Sequence, residues 1–218
     1  MRRRFDEQLS ELNDALIMMG KSVESAISDA NKALIGRDAG LAGKIVASDD
    51  EIDRQEKEIE HACLRLLLQQ QPVASDLRLV SSILKIVTDL ERIGDHASDI
   101  SEITLLLIKG NYNSMVEQIP QMAALTMKMT TESIDAFVRR DLDLAYKVIA
   151  DDDIIDRLFY AAKGEVVHLI KKDSENGDEA IDLLMIAKYF ERIGDHATNV
   201  AEWVVFSLTG MHKDMQVM

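Results

Sequence analysis

Carboxylates recur at helical spacing in both halves of this 218-residue chain. Asp49 and Asp53 stand four apart, as do Glu91 and Asp95, and the second series runs on to Asp99 and Glu102. The other half repeats the arrangement as Asp152 and Asp156, then Glu191, Asp195, Asn199 and Glu202. Residues four apart differ by about 40° around a helix axis, so each pair shares a face. Like charges at that spacing cost a few tenths of a kcal/mol per pair in an isolated helix. Repeating that cost in register asks for a compensating cation. Two helices facing one another would bring four carboxylates to one place, an oxygen-only donor set that suits Mg²⁺, Mn²⁺ or iron, and zinc less naturally.

The surroundings of these acids sharpen the expectation. Glu91 and Asp95 lie in line with Val80 and Leu84, and their copies with Ala180 and Leu184. Asp49 is close in angle to Ala42, Ile45 and Val46, and Asp152 to Ala145, Val148 and Ile149. Acids that extend an apolar stripe belong at the edge of a helix–helix interface, where lost hydration penalises an unpaired carboxylate. The plainer alternative is a solvated acidic face neutralised by the adjacent Arg54, Arg92, Arg157 and Arg192. It accounts for one pair more easily than for four pairs in register.

The hexapeptide ERIGDH is written twice, at Glu91–His96 and Glu191–His196. His96 and His196 each follow the stripe aspartate by one position, about 100° away, and so face a different neighbour, which suits packing better than ligation. Gly94 and Gly194 each cost about 1 kcal/mol in a helix interior, for which close approach of a second helix is the natural compensation. The eleven methionines read as core filler.

Helices must position all of this. The apolar period is near 3.6 almost throughout, and Met, Leu, Ala and Ile outweigh the strand-favouring residues. A first helix is expected over about Phe5–Ile35, broken at Gly36-Arg37. Asp38 caps a second that runs to about Gln70. Pro72 turns the chain, and Ser75 or Asp76 caps a third helix reaching about Ile108. Lys109–Asn113 is the clearest linker. Pro120 suits the first turn of a fourth helix ending near Arg140. Asp141 caps a fifth, closed by the polar stretch Lys171–Asp178, and a sixth ends near Thr209. Asp38–Arg54 repeats as Asp141–Arg157, with Asp49/Asp152, Asp50/Asp153, Asp53/Asp156 and Arg54/Arg157 identical; Glu91–Ala97 repeats as Glu191–Ala197 without a mismatch. The expected fold is all-α: two tandem, sequence-related three-helix bundles, residues 1–112 and 113–218, forming a six-helix protein.

Composition narrows the function. Acids outnumber bases 39 to 25 for a net charge of −14, which argues against nucleic acid and leaves a solvated acidic surface or a cationic partner, metal ions included. One cysteine, Cys63, excludes a disulfide within the chain and a thiolate zinc cage. The opening MRRRFDEQL lacks the apolar run of a signal peptide, and no apolar stretch is long enough to span a bilayer, so a soluble, intracellular protein is expected.

Two enzyme readings compete. Asp49-Asp50-x-x-Asp53 and Asp152-Asp153-x-x-Asp156 both fit the DDxxD pattern with which all-helical isoprenoid synthases hold Mg²⁺ against a diphosphate, but the chain is short and no basic cluster follows either motif. A di-iron oxidase needs Glu-x-x-His, whereas Glu91 and His96 are five apart. No nucleophilic triad or Gly-rich phosphate loop is evident. Catalysis also separates acid from base, and here both halves carry the same groups. Binding is the better reading.

The run QQQPVASDLRLVSSILKIVTDLERIGDHASDISE, Gln69–Glu102, together with Asp49-Asp50-x-Ile-Asp-Arg and the second ERIGDHATNVAE, closely resembles the PhoU family of bacterial phosphate-signalling regulators. The resemblance spans essentially the whole chain. It implies a cytoplasmic negative regulator of phosphate uptake, recruited to the inner face of the membrane by the phosphate-specific ABC transporter and the sensor histidine kinase of the phosphate regulon. A second copy of the chain, in a homodimer, is a further candidate partner. It also implies multinuclear clusters of iron or zinc, with Mg or Mn as alternatives, held through acid-x-x-x-Asp motifs. Carried over by position, the ligand candidates are Asp49, Asp53, Glu91, Asp95, Asp152, Asp156, Glu191 and Asp195. Asp99 joins the first set; its counterpart Asn199 keeps an oxygen but loses the charge.

Overall fold

The computed structural model describes residues 2–110, 114–172 and 174–212. Six helices follow one another: α1 (Arg2–Gly36), α2 (Ala39–Gln70), α3 (Ser75–Lys109), α4 (Gln118–Arg139), α5 (Leu142–Lys172) and α6 (Gly177–Thr209). No strand occurs among the described residues. The capping chemistry is partly as expected. Asp38 accepts from the Leu41 N–H, and Asp141 from the Leu144 N–H, each at the start of its helix. Pro120 sits in the first turn of α4.

One local expectation is corrected. Neither Ser75 nor Asp76 caps α3: Ser75 is already helical, and the flanking Ala74 has no polar side-chain atom to offer. The turn after Pro72 closes through the backbone, with Asp76 N–H donating to Val73 and Arg78 N–H to Ala74. Asp76 instead places a negative charge in the first turn, where the helix dipole favours it. Between α1 and α2, Gly36 is the last helical residue, and the left-handed turn falls on Arg37, at φ 51°. Residues 111–113 of the expected linker, the expected boundary between 112 and 113, Asp173 and the tail from residue 213 lie outside the described residues.

α1, α2 and α3 pack against one another, as do α4, α5 and α6. The two triplets meet along α3 with α6, the most extensive helix pair in the molecule, and along α1 with α4. α3 and α6 run antiparallel: Gly110 at the end of α3 lies against Glu179 near the start of α6, and Gly210 after α6 lies against Arg78 near the start of α3. Gly20 of α1 admits Ile134 of α4 so closely that a Cβ would collide with its Cδ1. Apolar side chains from both triplets, from Leu16 and Val23 to Phe190 and Val204, form one continuous buried cluster. α2 and α5 lie on the outer sides and do not touch.

Candidate metal centre

The repeated glycines set the distance between the acid-bearing helices. Ile52 of α2 packs onto Gly94 of α3, where an added Cβ would lie 2.9 Å from Ile52 Cδ1 and 3.1 Å from Cγ2. Ile155 of α5 meets Gly194 of α6 in the same way, at 3.2 Å. Ile52 lies between Asp49 and Asp53 in sequence, and Gly94 immediately precedes Asp95. The contact that brings the backbones together therefore also turns the acids of one helix toward those of the other.

In the first half, Asp53, Glu91 and Asp95 each contribute a carboxylate oxygen to a group lying within 4.8 Å of one another. It is the one such trio among the described residues. Asp49 lies close enough to feel Asp95 most, then Asp53, Asp50 and Asp99; loss of water first, and then those charges, raise its carboxyl to about 6. Glu91, whose side chain is only 15% exposed, is raised to about 7 by burial and by Asp95, with Arg92 opposing, and Glu56 and Asp53 adding to the rise. Its Oε2 is buried without a hydrogen bond. The arginines compensate incompletely. Arg92 bonds Asp95 at 2.9 Å and lies 3.5 Å from Glu91, whereas Arg54 turns to Glu51 and Glu58. Lys57 stands 3.7 Å from Asp53.

A desolvated, mutually repelling set of oxygens with one buried lone pair unsatisfied fits a hard cation. Asp53, Glu91 and Asp95 would hold it, with Asp49 beside them. Asp99 sits further along α3, 40% exposed; its carboxylate is 3.4 Å from His96 Nδ1, and after burial its charge raises the pKa of the Tyr189 hydroxyl.

The second half places its acids similarly but partners them differently. Asp195 is raised to about 6 by partial loss of water and by Glu191, Asp152 and Asp156, against the pull of Lys188. Asp152 accepts from the Thr198 hydroxyl at 3.2 Å. Glu191, 12% exposed, accepts from Lys188 Nζ. Asn199 is directed elsewhere: its amide donates to Asp89 of α3 at 3.1 Å.

The histidines pack at the seam between the two triplets. His196 Nδ1 is 2.8 Å from Asp89 Oδ1, and the two imidazoles lie 5.5 Å apart. His96 is buried, 5.4 Å from the Tyr189 ring, and burial holds its imidazole below the usual value. Asp89 with His196 and Asn199 on one side, and Tyr189 with His96 and Asp99 on the other, are matched positions exchanged between antiparallel helices. Sequence reasoning missed Asp89 and Tyr189 because they differ from each other, and a search for identities between the halves passes over them.

The DDxxD segments belong to separate clusters, since α2 and α5 do not touch, so they do not face one another across a common diphosphate pocket. Cys63 is buried on α2 and its thiol is pushed up to about 12 by burial and then by Glu60, which leaves no activated nucleophile there.

The sequence matches the family described as the PhoU domain twice, at residues 16–104 and 119–204. It is 39% identical over 215 residues to the phosphate-specific transport system accessory protein PhoU homolog of Clostridium acetobutylicum, covering 98% of each chain. It is 37% identical over 209 residues to the protein of the same description from Pseudomonas aeruginosa, covering 95% of this chain and 86% of that one. The fold superposes with a TM-score of 0.92 on the crystal structure of PhoU from Pseudomonas aeruginosa, at 37% identity, covering 95% of this chain and all of that one. The phosphate transport system regulatory protein PhoU from Streptococcus pneumoniae follows at 0.90 and 33% identity, covering 97% and 100%. These relatives are named as accessory or regulatory proteins, not as enzymes.

Proposed function

From the premise that this chain belongs to the PhoU domain family, we propose that it is a negative regulator of phosphate uptake and phosphate-starvation signalling. It works at the cytoplasmic face of the membrane, bound to the phosphate-specific ABC transporter and to a sensor histidine kinase. No helix of the described residues is long and apolar enough to cross a membrane, so on this reading its attachment comes through protein partners. Relatives carrying the accessory name over nearly the full length of this chain support the transport role.

The observation that carries the metal reading is the trio Asp53, Glu91 and Asp95, with Glu91 Oε2 buried and without a hydrogen bond. A bound divalent ion, iron or zinc by family likeness, supplies the positive charge that cancels the repulsion among these oxygens. The chain's own residues do the rest. Ile52 on Gly94 holds α2 at close range to α3, and α3 transmits that position to α6 along their shared length. The result is a rigid helical face for docking, with no turnover. Deleting the gene is expected to derepress phosphate-starvation genes in high phosphate. Unchanged expression would sink the regulatory reading. Metal analysis of native protein, with melting in the presence and absence of EDTA, tests the metal bridge separately.

A further inference from the structure

Among the matched positions at which the two acidic clusters differ, two change the charge beside the glutamates. Glu56 of α2 corresponds to Phe159 of α5, and Thr88 of α3 to Lys188 of α6. In the first half Glu56 adds a further carboxylate to the field on Glu91, and the neutral Thr88 donates its hydroxyl to the Leu84 carbonyl. In the second half an aromatic ring takes the place of that acid, and Lys188 Nζ lies 5.3 Å from its centroid. The same ammonium donates to Glu191 Oε2 and acts on Asp195. At these two positions one negative charge is removed and one positive charge is added, while Lys57, 3.7 Å from Asp53 at the exposed edge, is matched by the neutral Tyr160. Glu91 has a buried oxygen with no hydrogen bond; the corresponding Glu191 receives one from a cation on its own helix.

We infer that Lys188 is the built-in cation of the second cluster, so that the chain holds divalent metal tightly between α2 and α3 and not between α5 and α6. The inference rests on the metal-bridge reading of the first cluster. An ion entering the second cluster must displace Lys188 to reach Glu191 Oε2, and otherwise sits beside a positive charge, a repulsion that low local dielectric strengthens. The Phe159 face holds the ammonium where it is, through cation–π attraction and stem packing. Arg92 does not do the same in the first half. Its guanidinium is more than half exposed, bonds Asp95 at 2.9 Å, and stands 3.5 Å from Glu91 Oε2 as an ion pair that makes no hydrogen bond.

The test is metal content and affinity of the full chain, stripped with EDTA, reloaded with Fe²⁺, Zn²⁺ or Mn²⁺ and desalted. Glu91→Gln with Asp95→Asn is expected to abolish tight uptake, and Glu191→Gln with Asp195→Asn to leave it unchanged. Lys188→Thr with Phe159→Glu is expected to open the second half, adding metal that is lost again on Glu191→Gln and binding there at least about tenfold tighter than before. Lys188→Gln, which keeps the stem on Phe159, gives the same direction if the double variant folds poorly, with helix content checked by circular dichroism. Equal loss of metal from both pairs of acid substitutions overturns the inference and leaves the metal bridge standing. Metal at the first half with no gain from either Lys188 variant overturns it too. No metal in any variant overturns both, because a second cluster freed of its ammonium must then bind.

Discussion

Ile52 rests on Gly94 with no room for a methyl group between them: a Cβ there would stand 2.9 Å from Ile52 Cδ1 and 3.1 Å from Cγ2. The matched pair, Ile155 and Gly194, is looser at 3.2 Å. Alanine is better than glycine in a helix by about 1 kcal/mol, while overpacking a tight contact costs about 1–3 kcal/mol. Gly94→Ala is therefore expected to destabilise by about 1 kcal/mol net, and Gly194→Ala to be close to neutral. Denaturant melts of the two variants check this. In metal titrations, Gly94→Ala is also expected to weaken uptake, since it parts Asp53 from Glu91 and Asp95.

Acidity offers a second check. In metal-free protein Asp49 titrates near 6 and Glu91 near 7, both above the ordinary carboxylate range. Between about pH 4 and 7 the folded state then holds protons that the unfolded chain has released. The stabilisation these groups contribute is present at low pH and is lost as pH rises through 6 and 7. Melting in EDTA is expected to favour pH 5.5 over pH 8 when compared with Glu91→Gln, which removes the larger of the two effects. Divalent affinity runs the other way, strengthening as the same protons leave. Affinity that stays flat from pH 5.5 to 8 would contradict the ligand role of Glu91.

Asp89 anchors the seam between the triplets, accepting from Asn199 and contacting His196 Nδ1 with one oxygen. Asp89→Ala strands both partners at a half-buried site, at a cost of about 1–3 kcal/mol. Asp89→Asn retains an acceptor and is expected to cost less. Thermal unfolding of both variants, with first-half metal content as the control, separates damage to the seam from damage to the cluster.

Arg140 ends α4 in the left-handed conformation, at φ 55°. Its side chain is exposed, and glycine adopts this conformation without steric cost. Arg140→Gly is expected to raise stability by about 0.5–1 kcal/mol, read from the denaturation midpoint, with metal uptake unchanged.

Much of the molecule is written locally. Helix period, the Asp38 and Asp141 caps, the Pro72 turn and the recurrence of ERIGDH are properties of neighbouring residues. They were sufficient to read six helices in two related sets and the faces on which the acids lie. The start of α3 was less legible, because Ala74 and the backbone close that turn and no side chain signals it.

What only the tertiary structure decided is which groups face which. The repeated acid pairs read as equivalent in the sequence, yet Lys188 lies over Phe159 and bonds Glu191, while Glu91 keeps a buried oxygen without a hydrogen bond. Likewise Asn199, an apparent ligand by register, bonds Asp89 on another helix, and Tyr189 lies in the field of Asp99. A helical repeat fixes the angle at which a side chain leaves its own axis. The charge it meets depends on a second helix brought alongside by packing, and no spacing within one segment encodes that.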